Sequence, residues 1–306
     1  MKTLHETLRS GIDWPAIEGN RLPLRQAREM TLVGSGQPAA AAEPLARCGY
    51  AMIDDLETPR LRGMLAQMER FQAAYMAATR PLWKDSFEHT GDRLDNWSRR
   101  WEYPYCAWNL GDLEPGRVLD AGSGINFFPF FLEQAGWDVT CCDLNGGLYP
   151  VFEEANRLLG THVAFRGAPI EALPFKSGAF DALYCVSVLE HAPQRVHAMD
   201  EFARVLAPGG RLTITWDVSL SRDCDVKLED VAELLVQLEE RFEPVHPIDL
   251  MRPSNLLTTE RMLDGERWRL SWRPHRQWWR RAITRLLHGN PYRALAVMGT
   301  TWKKRG

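Results

Sequence analysis

The sequence predicts an α/β protein built around a doubly wound, largely parallel sheet. After Gly116, short apolar segments typical of strands alternate with segments typical of helices, which is the pattern of strand–helix–strand units. The predicted strands cover residues 117–120, 138–142, 163–166, 179–186 and 211–216. Of the 306 residues, 45% are hydrophobic and 25% are charged, so the chain can bury a sizeable core. We therefore expect one core domain with additions at both ends.

The segment before the sheet is predicted to be helical. Thr58 can cap a helix that has Pro59 in its first turn. Apolar residues then recur every three or four positions, at Leu61, Met64, Leu65, Met68, Phe71 and Tyr75. The aromatic segment 99–108 is interrupted by Pro104, so we expect it to lie extended. These features predict a helical cap or lid in residues 1–110, followed by the core in residues 111–272.

The end of the chain is strongly basic. From Glu266 onward, nine arginines and two lysines stand against one glutamate, a local net charge of +10 in a chain whose total is −3. We assign residues 273–306 to a basic arm rich in tryptophan and arginine, preceded by an amphipathic helix at 226–242 and a short strand at 267–272. The tryptophans of this arm either pack on the core or help to bind a large or acidic acceptor, an anionic membrane surface or RNA.

Targeting segments and metal motifs are not evident in the sequence. Residues 1–20 have no apolar run fit for a signal peptide, and no apolar run approaches the roughly 18 residues of a membrane span. We therefore expect a cytoplasmic location. The six cysteines form no CxxC pair, so neither a zinc site nor a disulfide framework is expected.

A glycine-containing turn directly follows the first predicted core strand. The strand RVLD leads into AGSG, and an apolar run from Phe127 to Leu132 can then form a helix. Gly122 and Gly124 lack the Cβ atoms that would keep a ligand away from the backbone. In the dinucleotide fingerprint a third glycine stands where this chain has Phe127. Asp120 would repel a phosphate and attract an ammonium group, so the favoured ligand is cationic at this end.

A second carboxylate ends the next predicted strand. Asp143 follows the glycine turn by about 20 residues, the spacing at which an acid can accept hydrogen bonds from both ribose hydroxyls. A ribose, an adenine and an amino acid with an ammonium group together describe S-adenosylmethionine. The alternative is that Asp120 and Asp143 only cap helices or turns.

Four blocks of the sequence resemble, in order, the core of class I S-adenosylmethionine-dependent methyltransferases, in particular the group related to ubiquinone and small-molecule methyltransferases. The blocks are VLDAGSG, VTCCDLN, IEALPFKSGAFDALYCVSVLEHAP and EFARVLAPGGRLTIT. The resemblance implies a seven-stranded Rossmann-like sheet, S-adenosylmethionine as cofactor, and transfer of a methyl group to an acceptor by in-line displacement.

The resemblance also implies where the cofactor binds. Asp120, Gly122, Ser123 and Gly124 would surround its methionine portion. Asp143 would hold the ribose, Leu144 would pack on the adenine, and Val186 and Ser187 would lie beneath the cofactor near the sulfur.

The chain departs from the family pattern at the adenine end. Pro169 occupies the position of an aspartate that often receives the adenine amino group, and Ile170 and Glu171 follow it. Adenine recognition could therefore rest on backbone groups and apolar stacking, or Glu171 could replace the missing acid.

Few residues are candidates for acid–base chemistry. Methyl transfer depends mainly on geometry, and a base is optional. His191 is the candidate base, because an imidazole side chain is suited to acid–base catalysis. Asp217 is a weaker candidate because an acid at a strand end is commonly a cap. Tyr103 and Tyr105 could form a lid over the cofactor or could simply pack in the core.

The acceptor and two alternative functions remain open in the sequence. A small molecule, a glycan or a peptide is favoured over a nucleic acid because the chain as a whole is slightly acidic. Oxygen, nitrogen and carbon acceptors are all compatible with the sequence. The alternatives are an NAD(P)-dependent oxidoreductase, which Phe127 and Asp120 disfavour, and a non-catalytic scaffold protein that binds S-adenosylmethionine.

Overall fold

A computed structural model describes residues 45–83, 94, 98–220, 226, 228–250, 253–259 and 295–306 of the chain. The strand predicted at 267–272 and the tryptophan-rich part of the basic arm lie outside the described residues. Within the described residues, no helix has the length and apolar character needed to cross a membrane.

A mixed sheet forms the centre of the molecule. Its strands, in chain order, are β1 (Cys48–Tyr50), β2 (Arg117–Ala121), β3 (Asp138–Asp143), β4 (Ala164–Gly167), β5 (Phe180–Val186), β6 (Leu206–Ser219), β7 (Phe242–Pro244), β8 (Ile248–Asp249) and β9 (Leu295–Lys304). The order across the sheet is β4-β3-β2-β5-β6-β9-β1-β8, and β7 pairs with β9. Strands β2 to β6 are parallel to one another, which confirms the predicted doubly wound sheet.

Six α-helices are described. They are α1 (Pro59–Ala78), α2 (Arg99–Leu110), α3 (Phe128–Gln134), α4 (Tyr149–Leu159), α5 (Arg195–Val205) and α6 (Leu228–Glu239). The prediction of α1 is confirmed, and the hydroxyl of Thr58 accepts a hydrogen bond from the backbone N–H of Leu61 at 3.4 Å.

The sheet separates two apolar clusters. Neighbouring residues of β2 point in opposite directions: Val118 packs with α1 to α4, whereas Leu119 packs with α5 and α6. Cys141 and Cys142 of β3 divide between the clusters in the same way. This alternation follows from the two-residue period of a strand, and it requires apolar side chains on both faces.

The prediction of an extended segment at 99–108 is wrong, because these residues belong to helix α2. Pro104 lies inside the helix, where it cannot donate a hydrogen bond to the Arg100 carbonyl and costs about 3 kcal/mol. Ten of the twelve residues of α2 are buried. Trp101 stacks on Tyr105 at 4.6 Å between ring centroids. Because each large buried apolar side chain contributes roughly 1.5–3 kcal/mol, tertiary packing outweighs the cost of the proline.

Strands β1 and β9 were not predicted from the sequence. Strand β9 pairs antiparallel with β6, from Arg211 opposite Lys303 to Ser219 opposite Leu295. Gly299, Thr300 and Thr301 interrupt its apolar pattern, although all three are buried. The polar side chains find partners inside the fold: the indole N–H of Trp302 donates to Thr300 Oγ1 at 2.8 Å, and the Thr301 hydroxyl donates to the Tyr105 hydroxyl at 3.1 Å.

Candidate functional site

The topology places a crevice at the carboxyl ends of β2 and β5. From β2 the chain adds β3 and β4 on one side of the sheet, and then β5 and β6 on the other side. The strand order therefore reverses between β2 and β5, and open α/β sheets bind ligands at such a point. The glycine turn follows β2 and Ser187 follows β5, so the topology brings both predicted parts of the site to one edge.

The turn after β2 requires glycine at position 122. Gly122 has φ +83°, and its N–H donates to the Cys142 carbonyl at 2.7 Å. A Cβ atom on Gly122 would lie 2.5 Å from Cγ1 of Val188, closer than any real contact. Gly124 also has a positive φ, +52°. The turn therefore requires glycine both for its left-handed backbone and for its close packing against Val188.

Asp143 ties the turn to the end of β3. Its Oδ2 accepts from the N–H of Gly124 at 2.8 Å, and its Oδ1 accepts from the N–H of Asn145 at 2.8 Å. The carboxylate therefore does cap a turn, as the alternative interpretation held. It is only partly buried, and each carboxylate oxygen can accept a further hydrogen bond, so the same group can also hold a diol.

The apolar side chain beside Asp143 is unusually exposed. Leu144 is 77% exposed, more than any other large hydrophobic residue that is described. The neighbouring segment is held in place by the N–H of Ala168, which donates to the Asp143 carbonyl at 2.9 Å. Leu144 is therefore an exposed apolar side chain at the end of β3, where the family resemblance predicts the contact with adenine.

Three residues after β4 line the predicted adenine end. Pro169 is exposed, Ile170 is buried and Glu171 is partly buried. Oε1 of Glu171 is buried and has no hydrogen-bond partner among the described residues. A buried carboxylate oxygen without a partner fits a group that donates hydrogen bonds.

Phe127, which stands in place of the third glycine of the dinucleotide fingerprint, is packed in the core. It is buried and contacts Tyr103 edge to face, with 5.4 Å between ring centroids. Asp120, before the turn, is only 3% exposed. Both observations agree with the sequence-based argument against a pyrophosphate at this turn.

Helix α2 contributes a buried acid that the sequence analysis missed. Glu102 Oε1 accepts hydrogen bonds from the hydroxyls of Ser187 at 2.7 Å and Thr215 at 2.6 Å. Its Oε2 accepts from the Ser98 hydroxyl at 2.7 Å and forms an ion pair with Arg99. Ser187 has φ +51°, rare for a residue with a side chain. The Glu102 network thus joins α2 to the ends of β5 and β6.

The charge state of Glu102 follows from these contacts. Burial acts to raise its pKa, but the Arg99 guanidinium and the three hydroxyl donors outweigh burial, and the net pKa is lowered. Glu102 is therefore an ionised acceptor inside the fold. Two of its hydroxyl partners, Ser187 and Thr215, come from distant parts of the sequence, so the local sequence does not reveal this environment.

His191, the predicted base, is exposed, whereas the neighbouring residue Glu190 is buried. His191 ends a short 3-10 helix, Leu189–His191, and is exposed. Glu190 is only 3% exposed, and its Oε1 accepts from the backbone N–H of Asp217 at 3.0 Å. Val186 and Ser187, which precede this helix, are partly buried.

The two tyrosines considered for a lid are packed in the core. Tyr103 stacks on Phe128 at 4.7 Å between centroids, and the Tyr105 hydroxyl donates to the Arg47 carbonyl at 2.9 Å. Both side chains are buried in α2. These contacts match the packing interpretation.

Comparison with known proteins finds a family match in the central part of the chain. The family described as "Methyltransferase domain" matches residues 119–214. A ubiquinone biosynthesis O-methyltransferase of Xylella fastidiosa (strain 9a5c) is 33% identical over 148 residues, 47% of this chain and 58% of the relative. A tRNA U34 carboxymethyltransferase of Chromohalobacter salexigens is 30% identical over 142 residues, 44% of this chain and 42% of the relative.

The solved structures that resemble this fold include the Burkholderia thailandensis 1,6-didemethyltoxoflavin-N1-methyltransferase. It is 22% identical, with 81% of this chain and 91% of that chain covered and a TM-score of 0.43. The match to the curated relatives is partial, because it spans between 42% and 58% of the two relatives named above.

The matched residues run from β2 into β6 and include the glycine turn, Asp143 and Ser187. Both ends of the chain, including helix α2, lie outside the residues 119–214 that the family matches. Residues 119–214 therefore form a class I S-adenosylmethionine-dependent methyltransferase domain, and S-adenosylmethionine is its cofactor.

Proposed function

We propose that this protein transfers the methyl group of S-adenosylmethionine to a small-molecule acceptor. The observation that carries the proposal is the pairing of the glycine turn with Asp143 at the switch point of the sheet, where Gly124 N–H meets the Asp143 carboxylate at 2.8 Å. When bound, the cofactor supplies a methyl group on a positively charged sulfur. The protein then has to hold that group, align the acceptor and exclude water.

Each part of the crevice has a matching role. Asp120 and the turn Gly122, Ser123 and Gly124 would hold the methionine portion, with the Asp120 carboxylate facing the ammonium group. Asp143 would accept hydrogen bonds from the ribose hydroxyls. These assignments are supported by the tight turn that the two positive-φ glycines form after β2.

The adenine and the sulfur would lie on either side of the ribose. Leu144 would cover one face of the adenine, and Pro169, Ile170 and Glu171 would surround its edge, with Glu171 Oε1 accepting from the exocyclic amino group. Val186 and Ser187 would lie beneath the sulfur, and Glu102 would fix the Ser187 hydroxyl at 2.7 Å.

The small-molecule acceptor is supported by relatives with related activities. The Xylella relative is named a ubiquinone biosynthesis O-methyltransferase, a name that places the methyl group on oxygen. Glycan and peptide acceptors are the alternatives, and they would be detected in the same experiment.

Binding calorimetry tests the donor site. We expect the intact protein to bind S-adenosylhomocysteine and not NAD. We expect Asp143→Asn to weaken S-adenosylhomocysteine binding at least tenfold, since the amide cannot accept from both the turn and the ribose. Asp138→Asn is the matched control, because Asp138 is an exposed acid at the opposite end of the same strand. Tighter binding of NAD, or equal affinities in the two variants, would contradict the assignment.

Methyl transfer tests the activity. Intact protein would be incubated with tritiated S-adenosylmethionine and an extract that has been separated into small-molecule, glycan and peptide fractions. We expect label in the small-molecule fraction. A protein that binds the donor but labels no fraction would be the non-catalytic scaffold.

A further inference from the structure

Two carboxyl groups lie close together at the carboxyl ends of β5 and β6, one on a buried residue and one on a partly buried residue. Glu190 lies in the 3-10 helix that follows β5, and Asp217 lies near the end of β6. The backbone N–H of Asp217 donates to Glu190 Oε1 at 3.0 Å. Neither acid has an ion-pair partner among the described residues, and this pair is not needed to hold the cofactor in the proposed site.

The remaining oxygens of the pair are available to a ligand. Oε2 of Glu190 and Oδ1 of Asp217 are both buried and have no hydrogen-bond partner among the described residues. The Glu190 residue is 97% buried, being only 3% exposed. Folded proteins rarely leave such atoms unsatisfied, and exceptions commonly mark a catalytic or ligand-binding role.

The pair lies beside the proposed position of the sulfur. In the parallel register, Val186 of β5 is opposite Thr215 of β6, and the N–H of Ser187 donates to the Thr215 carbonyl at 3.0 Å. Asp217 follows Thr215 by two residues, so both side chains leave the strand on the same face. That face meets Glu102, which binds the hydroxyls of Thr215 and Ser187.

Several charged or titratable groups surround the pair. Arg99 and Glu102 face Asp217 from α2, and Cys185 lies near Glu190 on β5. Arg195, at the start of α5, donates to the Glu190 backbone carbonyl at 2.8 Å. Val297 of β9, opposite Asp217, is uncharged.

These surroundings favour the protonated forms of both acids. Burial and the negative charge of Glu102 raise the pKa of Asp217 to about 7, although the positive charge of Arg99 acts to lower it. Burial and the nearby Asp217 raise the pKa of Glu190 well above its ordinary value. The pair therefore holds at least one proton near neutral pH, and Asp217 can exchange a proton there.

We propose that Asp217, positioned by Glu190, is the base that removes the proton from the acceptor atom during methyl transfer. This proposal rests on the proposed function. The acceptor oxygen or nitrogen forms a bond to the methyl carbon while the bond between that carbon and sulfur breaks. The bonding electrons neutralise the sulfur, and the acceptor proton moves to the Asp217 carboxylate. Atoms and charge balance without any further reactant.

The proposal also defines a class of acceptor. The reacting atom must carry a hydrogen, as in a hydroxyl or an amine, because Oδ1 of Asp217 and Oε2 of Glu190 can only accept or share a proton. A carboxylate or phosphate acceptor would meet three acids, Glu102, Glu190 and Asp217. The Arg99 guanidinium beside them is already paired with Glu102. We therefore expect neutral or cationic acceptors to be methylated and anionic reacting groups to be rejected.

Two measurements on the intact protein test the role of Asp217. The first follows the pH dependence of tritium transfer from S-adenosylmethionine into the small-molecule fraction of a cell extract. The rate of methyl transfer by the wild-type protein should increase with pH, and this ascending limb of the pH profile should be centred near pH 7. In Asp217→Asn the limb should disappear and the rate should fall about 100-fold or more, while S-adenosylhomocysteine binding stays within about twofold.

Three further variants sharpen the result. Glu190→Gln keeps an oxygen for the Asp217 N–H, and Glu190 is still protonated when Asp217 loses its proton, so the limb should stay near pH 7. Thr213→Val changes another buried side chain of β6, one whose hydroxyl has no partner among the described residues, and should preserve both limb and rate. If His191→Gln abolishes the limb, or Asp217→Asn retains it, the proposal is overturned.

The second measurement needs no acceptor. Infrared difference spectra of the S-adenosylhomocysteine complex between pH 5 and 9 should show a protonated carboxyl that titrates near neutrality and is lost in Asp217→Asn. Identical spectra of the variant and the wild type would overturn the proposal. Failure of the wild type to bind S-adenosylhomocysteine would instead contradict the proposed function, so the two failures are distinguishable.

Discussion

Glu102 of helix α2 accepts a hydrogen bond from Thr215 of strand β6 at 2.6 Å, across 113 residues of sequence. The same carboxylate oxygen accepts from Ser187, at the end of β5. The helix that precedes the methyltransferase domain is thus fastened to the two strand ends that lie beside the proposed sulfur position. A change in α2 should therefore affect both stability and cofactor binding.

Replacement of Glu102 by alanine should strongly destabilise the protein. The substitution leaves the buried Arg99 guanidinium without its anion and removes the acceptor of three hydroxyls. Breaking a buried ion pair on one side costs about 3–5 kcal/mol. The free energy of unfolding, measured with urea, gives the test, and Glu154→Ala is the control because its ion pair with Arg157 is exposed. If the free energy of unfolding fell equally in both variants, the buried network would stabilise the protein no more than an exposed ion pair does.

Replacement of Gly122 by alanine should abolish cofactor binding with a smaller effect on stability. A left-handed backbone costs a residue with a Cβ atom about 1–2 kcal/mol, and the new methyl group would meet Val188 at 2.5 Å. The turn must then shift into the crevice. Calorimetry with S-adenosylhomocysteine measures the loss, and Gly122→Ala combined with Val188→Ala should recover part of the affinity.

A second glycine provides the control for that substitution. Gly63 lies in the interior of α1, and no atom lies within 4 Å of the position that an added methyl group would take. Gly63→Ala should leave binding unchanged and stabilise the protein by about 0.5–1 kcal/mol, since alanine is the better helix former. Reduced binding in Gly63→Ala would show that the assay reports a general effect of the substitution.

The stability of the protein should decrease from acid toward neutral pH because of Asp217. The folded pKa of about 7 lies above the ordinary value of 3.8, so the folded state binds this proton more tightly than the unfolded state. The stabilisation of the folded state by this proton is fully present below about pH 4 and is lost as pH rises through 7. The free energy of unfolding should decrease by up to about 4 kcal/mol over this range. Asp217→Asn should therefore be more stable than the wild type at pH 8, and the difference should narrow at pH 5. Urea titrations at the two pH values measure it, and a pH-independent difference would contradict the raised pKa.

Replacement of Leu144 by alanine should weaken cofactor binding without loss of stability. Its side chain is 77% exposed and therefore contributes little to folding. Covering an adenine ring would give it about 1 kcal/mol of binding energy, so the affinity for S-adenosylhomocysteine should fall roughly fivefold. Leu250→Ala is the matched control, because Leu250 is also exposed, at 46%. Unchanged affinity in Leu144→Ala would place the adenine elsewhere.

Local patterns were sufficient to predict the parallel core. The strands β2 to β6 form at the predicted positions, although no helix separates β4 from β5. Strands buried on both faces need continuous apolar runs, and turns that approach a ligand need glycine. Asp120 and Asp143 were predicted as site residues for the same reason, since both stand at strand ends next to the glycine turn. Such signals lie within a few residues of the feature that they determine.

Helix α2, strand β9 and the buried acids depended on contacts between distant residues. Pro104 favours an extended chain locally, but α2 forms because its aromatic side chains are buried against the sheet and α3. Strand β9 pairs with β6 across 76 to 92 residues of sequence, from Ser219–Leu295 to Arg211–Lys303, and no local pattern specifies such a partner. Glu102 and Glu190 look like ordinary surface acids in the sequence. Their burial, their hydrogen bonds and the pKa of Asp217 arise only when β5, β6 and α2 meet, because desolvation and charge proximity are properties of the assembled fold.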